Sequence, residues 1–103
     1  MESFCAPDDR ITLRREMGLS HGEFFRSLPA AMGDRRFSVS APTVTMAEGA
    51  RRLEITLAPE RERRIGLLRL PVTCVTFDFT GYSEAEVEAF MRRFERHYQR
   101  GGG

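Results

Sequence analysis

A strand that ends in a glycine turn and passes directly into a long amphipathic helix leaves a chain few ways to fold, and residues 71–98 hold such a unit. In Thr73-Cys74-Val75-Thr76-Phe77-Asp78-Phe79-Thr80, apolar Val75, Phe77 and Phe79 alternate with Cys74, Thr76 and Asp78. That period of two marks a strand with one buried face. Gly81 breaks it. Ser83 and Glu86 then have the spacing of a capping box, flanked by Tyr82 and Val87 as a hydrophobic staple, so a helix is expected from about Glu84. Val87, Phe90, Met91, Phe94 and Tyr98 form its apolar stripe. Glu84, Glu86 and Glu88 lie in its first turns and Arg92, Arg93, Arg96 and Arg100 in its last, each sign where the helix dipole favours it. Gly101 is the expected stop.

Upstream, Ile11-Thr12-Leu13 alternates before the pattern lapses at Arg15, which predicts a short or edge strand. Ser20 and Glu23 repeat the capping spacing, so a helix is expected from about His21, burying Phe24, Leu28 and Met32 with Phe25 alongside. Pro29 should kink or end its regular part, and Gly33-Asp34 should close it. The two strand-glycine-serine-glutamate units share capping chemistry, but their strand phases disagree, which argues against an internal repeat. Strands are expected at Phe37–Ala41 and, after Pro42, around Val44 and Met46. Another follows at Arg52–Leu57, with Leu53, Ile55 and Leu57 inward. Glu60-Arg61-Glu62-Arg63-Arg64 reads as a solvated loop and Ile65–Leu70 as a short separate strand, with Pro71 breaking the ladder after it.

The expected fold is therefore α+β: an antiparallel sheet of five or six strands with two helices on one face, in the order β-α-β-β-β-(β)-β-α. Residues 10–100 make one domain, between an N-terminal arm at 1–9 and a glycine tail at 101–103. In topology alone, this layout resembles the half-repeat of TATA-binding-like and helix-grip folds, and topology assigns no residue a role. The tail is similar to the diglycine end of ubiquitin-like modifiers, but those leave a strand, and this one reads as a helix cap with a flexible end.

Composition excludes several functions. All sixteen basic residues are arginine, with no lysine, asparagine or tryptophan, which fits the codon bias of a GC-rich bacterial genome. Fifteen acidic residues leave a net charge of +1, so there is no general field for nucleic acid, and no aromatic residues interleave the arginines as a single-strand platform requires. Specific nucleic-acid binding is not expected. No apolar run approaches the roughly 20 residues of a membrane helix. The first residues lack the basic start and apolar centre of a signal peptide, so the expected location is the cytoplasm. Cys5 and Cys74 have no metal-type spacing and form no disulfide framework. No metal or other cofactor is expected.

Two surfaces are candidates for function. Opposite the helices, the sheet should present Arg52, Glu54, Thr56, Cys74, Thr76 and Asp78, joined by Thr12, Arg14, Ser38 and Ser40. This is a docking face for a protein partner or a second copy, or the wet side of an antiparallel sheet. Arg35, Arg36, Arg51, Arg63 and Arg64 fall at strand ends and could converge on a rim that binds a small phosphate or carboxylate. Ser20, His21 and Glu23 do not make a catalytic set, because capping engages the serine and the glutamate with backbone amides. His97 occupies a dipole-favoured place near a helix end. Cys74 has no histidine placed in sequence to activate it. The leading expectation is a non-catalytic interaction or accessory module; the alternative is a binder of a small anion.

Overall fold

The computed structural model describes residues 10–33 and 35–102, with side chains as far as Tyr98. The expected N-terminal arm, Cys5, Asp34 and the Arg100 side chain lie outside that description. The elements are β1 (Arg10–Met17), α1 (His21–Met32), β2 (Ser38–Ser40), β3 (Thr43–Glu48), β4 (Arg51–Leu57), β5 (Arg61–Ile65), β6 (Leu68–Thr80) and α2 (Glu84–Gly102). All pairings are antiparallel, in the order β1-β6-β4-β3-β2, with β5 pairing β6 beyond the end of β4. The expected α+β architecture of six strands and two helices is the one observed.

Both capping boxes form. Ser20 Oγ accepts the Glu23 amide at 3.1 Å and Glu23 accepts the Ser20 amide at 2.9 Å. The equivalent distances for Ser83 and Glu86 are 3.1 and 2.8 Å. These side chains satisfy amides that a helix start leaves without partners. Helix α1 runs through Pro29 to Met32, so the proline does not end it, and Gly33 caps it with φ 68° and its amide on the Pro29 carbonyl. Helix α2 passes the expected stop at Gly101 and runs to Gly102.

Both helices cover the same side of the sheet. Phe24, Leu28 and Met32 of α1 and the Val87, Phe90, Met91, Phe94 and Tyr98 stripe of α2 share one core with Leu53, Ile55, Val75, Phe77 and Phe79. The Tyr98 hydroxyl donates to the Phe24 carbonyl at 2.8 Å and ties the helices together. The lapse at Arg15 has a local cause. Its inward-facing position lies at the rim, and the guanidinium reaches out to Glu95 of α2 at 2.6 Å. Val39 is half exposed, because β2 is a three-residue edge strand outside the core.

The largest departure concerns residues 60–72. The expected charged loop is strand β5, the expected separate strand does not exist, and β6 continues through Pro71 for thirteen residues. Gly66 and Leu67 form a two-residue turn, with φ 62° at Gly66, that joins Ile65 to Leu68 in a β-hairpin. Ile65–Leu68 is then the hydrogen-bonded closing pair, which makes Glu62–Pro71 a non-hydrogen-bonded pair. The Pro71 nitrogen therefore points away from β5 and breaks no bond to it. Between β4 and β5, three residues (58–60) oppose two (73–74), a bulge that accommodates Pro59. This hairpin lies beyond the helices. It contributes to a long axis of 56 Å against 28 and 26 Å, and to a radius of gyration of 15.0 Å where about 13 Å is usual for this length.

Candidate functional site

Strand register places the predicted open face. Thr56 is opposite Thr76, Glu54 opposite Asp78, Arg52 opposite Thr80, and Cys74 opposite Glu16 of β1. Thr12 and Arg14 lie across β6 from the same positions, and Ser38 and Ser40 continue the face at the far edge. Thr12 donates to Asp78 at 2.6 Å. Cys74 is a half-buried free thiol. Glu54 and Asp78 are like charges directly opposite one another, an unfavourable pair on a bare sheet.

The bulge shifts the side-chain phase by one residue, so Arg61, Arg63 and Ile65 of β5 join Leu68, Leu70 and Val72 of β6 on this same face. Arg63 and Arg61 both reach Glu16, at 2.8 and 3.4 Å. Toward the tip the face becomes apolar. Leu67 is 102 % exposed, Leu68 61 %, Ile65 55 % and Leu70 41 %. Large aliphatic side chains concentrated at the end of a projecting ribbon are uncommon on a solitary soluble surface. Sequence reasoning missed the ribbon because it gave Ile65–Leu70 to one strand. The available signal was Gly66 between Ile65 and Leu68, with arginines on both sides.

The five candidate anion-binding arginines do not form one rim. Arg63 and Arg64 lie on the hairpin, Arg64 in a loose pair with Glu62 at 3.8 Å. Arg51 is beside Gly81 at the other end of β6, about 36 Å along the strand from Arg63. Arg36 is exposed. Arg35 and Arg51 do come together, with Arg93 of α2, around a hollow of about 460 Å³ that Tyr82 also lines. The Arg35 guanidinium lies 5.5 Å from the Phe90 ring centroid and that of Arg51 5.4 Å from the Tyr82 centroid. Arg51 also pairs with Glu86 at 3.1 Å and Glu48 at 3.4 Å. Among the described residues the Tyr82 hydroxyl is buried without a hydrogen-bond partner, and burial, foremost, raises its pKa. Arg93 was missed as a member; its position seven residues after Glu86 puts both on one helix face.

A second cleft, of about 610 Å³, opens where β1 ends between α1 and α2. Half-buried Met17 and Leu19 provide its apolar surface, over fully buried Phe77 and Phe94, and the Arg15–Glu95 pair crosses its edge. Thr73, fully buried, fixes its corner by donating to the Leu19 carbonyl at 2.9 Å. His21 donates a ring N–H to the Ala58 carbonyl at 2.7 Å, and His97 one to the Arg93 carbonyl at 3.0 Å. Each histidine is thus engaged with backbone.

Among the described residues no helix is long and apolar enough to cross a membrane, and no group of three or more metal-ligating side chains gathers. Comparison with protein-family models, with curated proteins and with solved structures returned no match.

Proposed function

We propose that the chain is a small non-catalytic interaction module of the bacterial cytoplasm, which docks a protein through its open sheet face and the hairpin that prolongs it. The observation that carries this reading is the projecting ribbon, with Ile65, Leu67, Leu68 and Leu70 exposed at its end. Two-stranded ribbons are marginal alone, and burying aliphatic side chains contributes roughly 1.5–3 kcal/mol each. The opposed Glu54 and Asp78 add a place on the same face where a partner's cation is favoured. Quantitative affinity purification with wild-type and Leu67→Asp/Leu68→Asp chains tests it. Partners, including further copies of the chain, should be lost with the double variant; identical recovery by both baits rejects the reading.

A second reading, a binder of small oxyanions, is favoured by the meeting of Arg35, Arg51 and Arg93 beside the Tyr82 hydroxyl. Planar guanidinium groups held against aromatic rings suit bidentate recognition of carboxylate or phosphate. A thermal-shift series with inorganic phosphate and simple carboxylates should raise the melting temperature of the wild type and not of Arg35→Ala/Arg93→Ala. No shift with any of them rejects this reading.

A further inference from the structure

The hairpin has two outer edges, and they differ. Ile65–Leu68, Arg63–Leu70 and Arg61–Val72 are its hydrogen-bonded pairs, so the backbone groups of Glu62 and Arg64 on β5, and of Arg69 and Pro71 on β6, point outward. On β6, Pro71 has no N–H to offer, and its carbonyl oxygen lies beside Gly18, where an added Cβ would come within 4.0 Å of it. That edge is blunted. On β5, Glu62 and Arg64 each present an N–H and a C=O, and among the described residues β5 pairs with β6 alone. A strand edge in this state is a template for a further strand.

The side chains say which strand it takes. One face of the hairpin carries exposed Ile65, Leu68 and Leu70. The other carries Arg64 directly opposite Arg69, in a non-hydrogen-bonded pair, the closer of the two kinds. Like charges so placed are unfavourable, and among the described residues the one acid paired with either is Glu62, in a loose exposed contact with Arg64 at 3.8 Å. Residues 61–70 hold four arginines against that one glutamate, in a chain whose net charge is +1.

We propose that β5 is the docking edge for an extended polypeptide segment in which acidic and aliphatic residues alternate. This deepens the reading of the hairpin as a docking element and rests on it. The segment adds as a further strand and exchanges backbone hydrogen bonds with Glu62 and Arg64. Its acidic side chains then lie beside Arg64 and offset the repulsion from Arg69, while its aliphatic ones extend the face of Ile65, Leu68 and Leu70. A second copy's β5 fits less well, because it brings three more arginines against one glutamate to the same edge.

Fluorescence anisotropy with a labelled, end-capped peptide of alternating valine and glutamate tests this on the full chain. The wild type should bind that peptide and not its valine–lysine counterpart. N-methylation of the glutamates, whose N–H groups face β5 in this arrangement, should abolish binding, and N-methylation of the valines should leave it intact. Two substitutions separate strand addition from charge. Glu62→Gln removes an acid and keeps the outward N–H, so binding should tighten. Glu62→Pro removes the same acid and that N–H, so it should bind about fivefold more weakly than Glu62→Gln. Neither breaks a bond within the hairpin, since residue 62 faces away from β6 as Pro71 faces away from β5, and both circular dichroism spectra should match the wild type. Equal binding by the two variants overturns the proposal, as does equal binding of the two methylated peptides or a wild type that binds no peptide. Binding to phosphatidylglycerol vesicles instead of peptide, lost with Leu67→Asp/Leu68→Asp, overturns it too and assigns the hairpin to a membrane surface. A wild-type dimer in light scattering that Glu62→Pro dissolves also overturns it, since a second copy then fills the edge. If no peptide binds but the double leucine variant still loses a protein partner, strand addition fails and the docking reading stands. If that variant recovers the same partners as the wild type, both fail.

Discussion

Tyr98 shows how one hydroxyl couples two elements distant in sequence. Its ring stacks on Phe24 at 5.3 Å while its O–H bonds the Phe24 carbonyl, and burial pushes its pKa far up. Tyr98→Phe keeps the stack and removes the bond, so urea unfolding should show a loss of about 1 kcal/mol. Phe24→Ala, which empties the position beneath, should lose about 3–5 kcal/mol in the same measurement. Glu86 gives the chain an acid-sensitive cap. The Ser83 backbone amide, foremost, and then Arg51 hold its carboxyl below its ordinary value of 4.5. A lowered folded pKa means that the stabilisation is present above the unfolded value and is lost as the pH falls through the lower folded one. Thermal melts between about pH 6 and pH 2 should show a shallower acid decline for Glu86→Gln than for the wild type. Both caps and both helix stripes were legible, because each rests on residues within one or two turns of each other. The Tyr98–Phe24 bond was not, since no local pattern says which carbonyl a buried hydroxyl will find.

The turns that end strands carry their own constraints. Gly49 and Gly81 both have positive φ, 59° and 82°, but a Cβ at Gly81 would lie 2.7 Å from the Ala50 carbonyl oxygen, whereas one at Gly49 meets nothing within 4 Å. Gly49→Ala should therefore cost about 1 kcal/mol, for the left-handed backbone alone. Gly81→Ala adds a backbone clash at the junction of β6 and α2 and should cost about 3 kcal/mol by the same denaturation assay. At this scale the sequence was read well wherever alternation was unbroken, as in Arg52–Leu57 and Thr73–Thr80. It failed at residues 60–72 for a physical reason. A bulge inverts the phase of alternation, so Arg61, Arg63 and Ile65 share a face with residues of opposite parity in the flanking strand. A period-two reading that carries its phase across Pro59 sees only charge. Pro71 misled for a related reason, because a proline interrupts only the ladder that its nitrogen faces.

In the whole molecule, one face of the sheet is closed by two helices and the other is left open, with the hairpin extending that open face beyond the body. The layer arrangement followed from the sequence because every strand had one polar side and both helices had one apolar side. The two clefts did not, since each is assembled from elements far apart in the chain, and neither did the separation of Arg51 from Arg63, which depends on β6 being one continuous strand. That continuity also bears on how the fold is reached. Strand β6 is flanked by β1 on one side and β4 on the other, and β1 pairs with it from Arg10↔Thr80 to Met17↔Thr73. A fragment of residues 1–70 should accordingly show no cooperative unfolding transition by circular dichroism, although it holds most of the strands. Pairing across so much intervening chain closes a long loop, which slows folding. During synthesis, then, β1 waits until Thr73–Thr80 have been made before its neighbour exists. Its apolar Ile11, Leu13 and Met17 are exposed meanwhile to whatever attends a nascent chain.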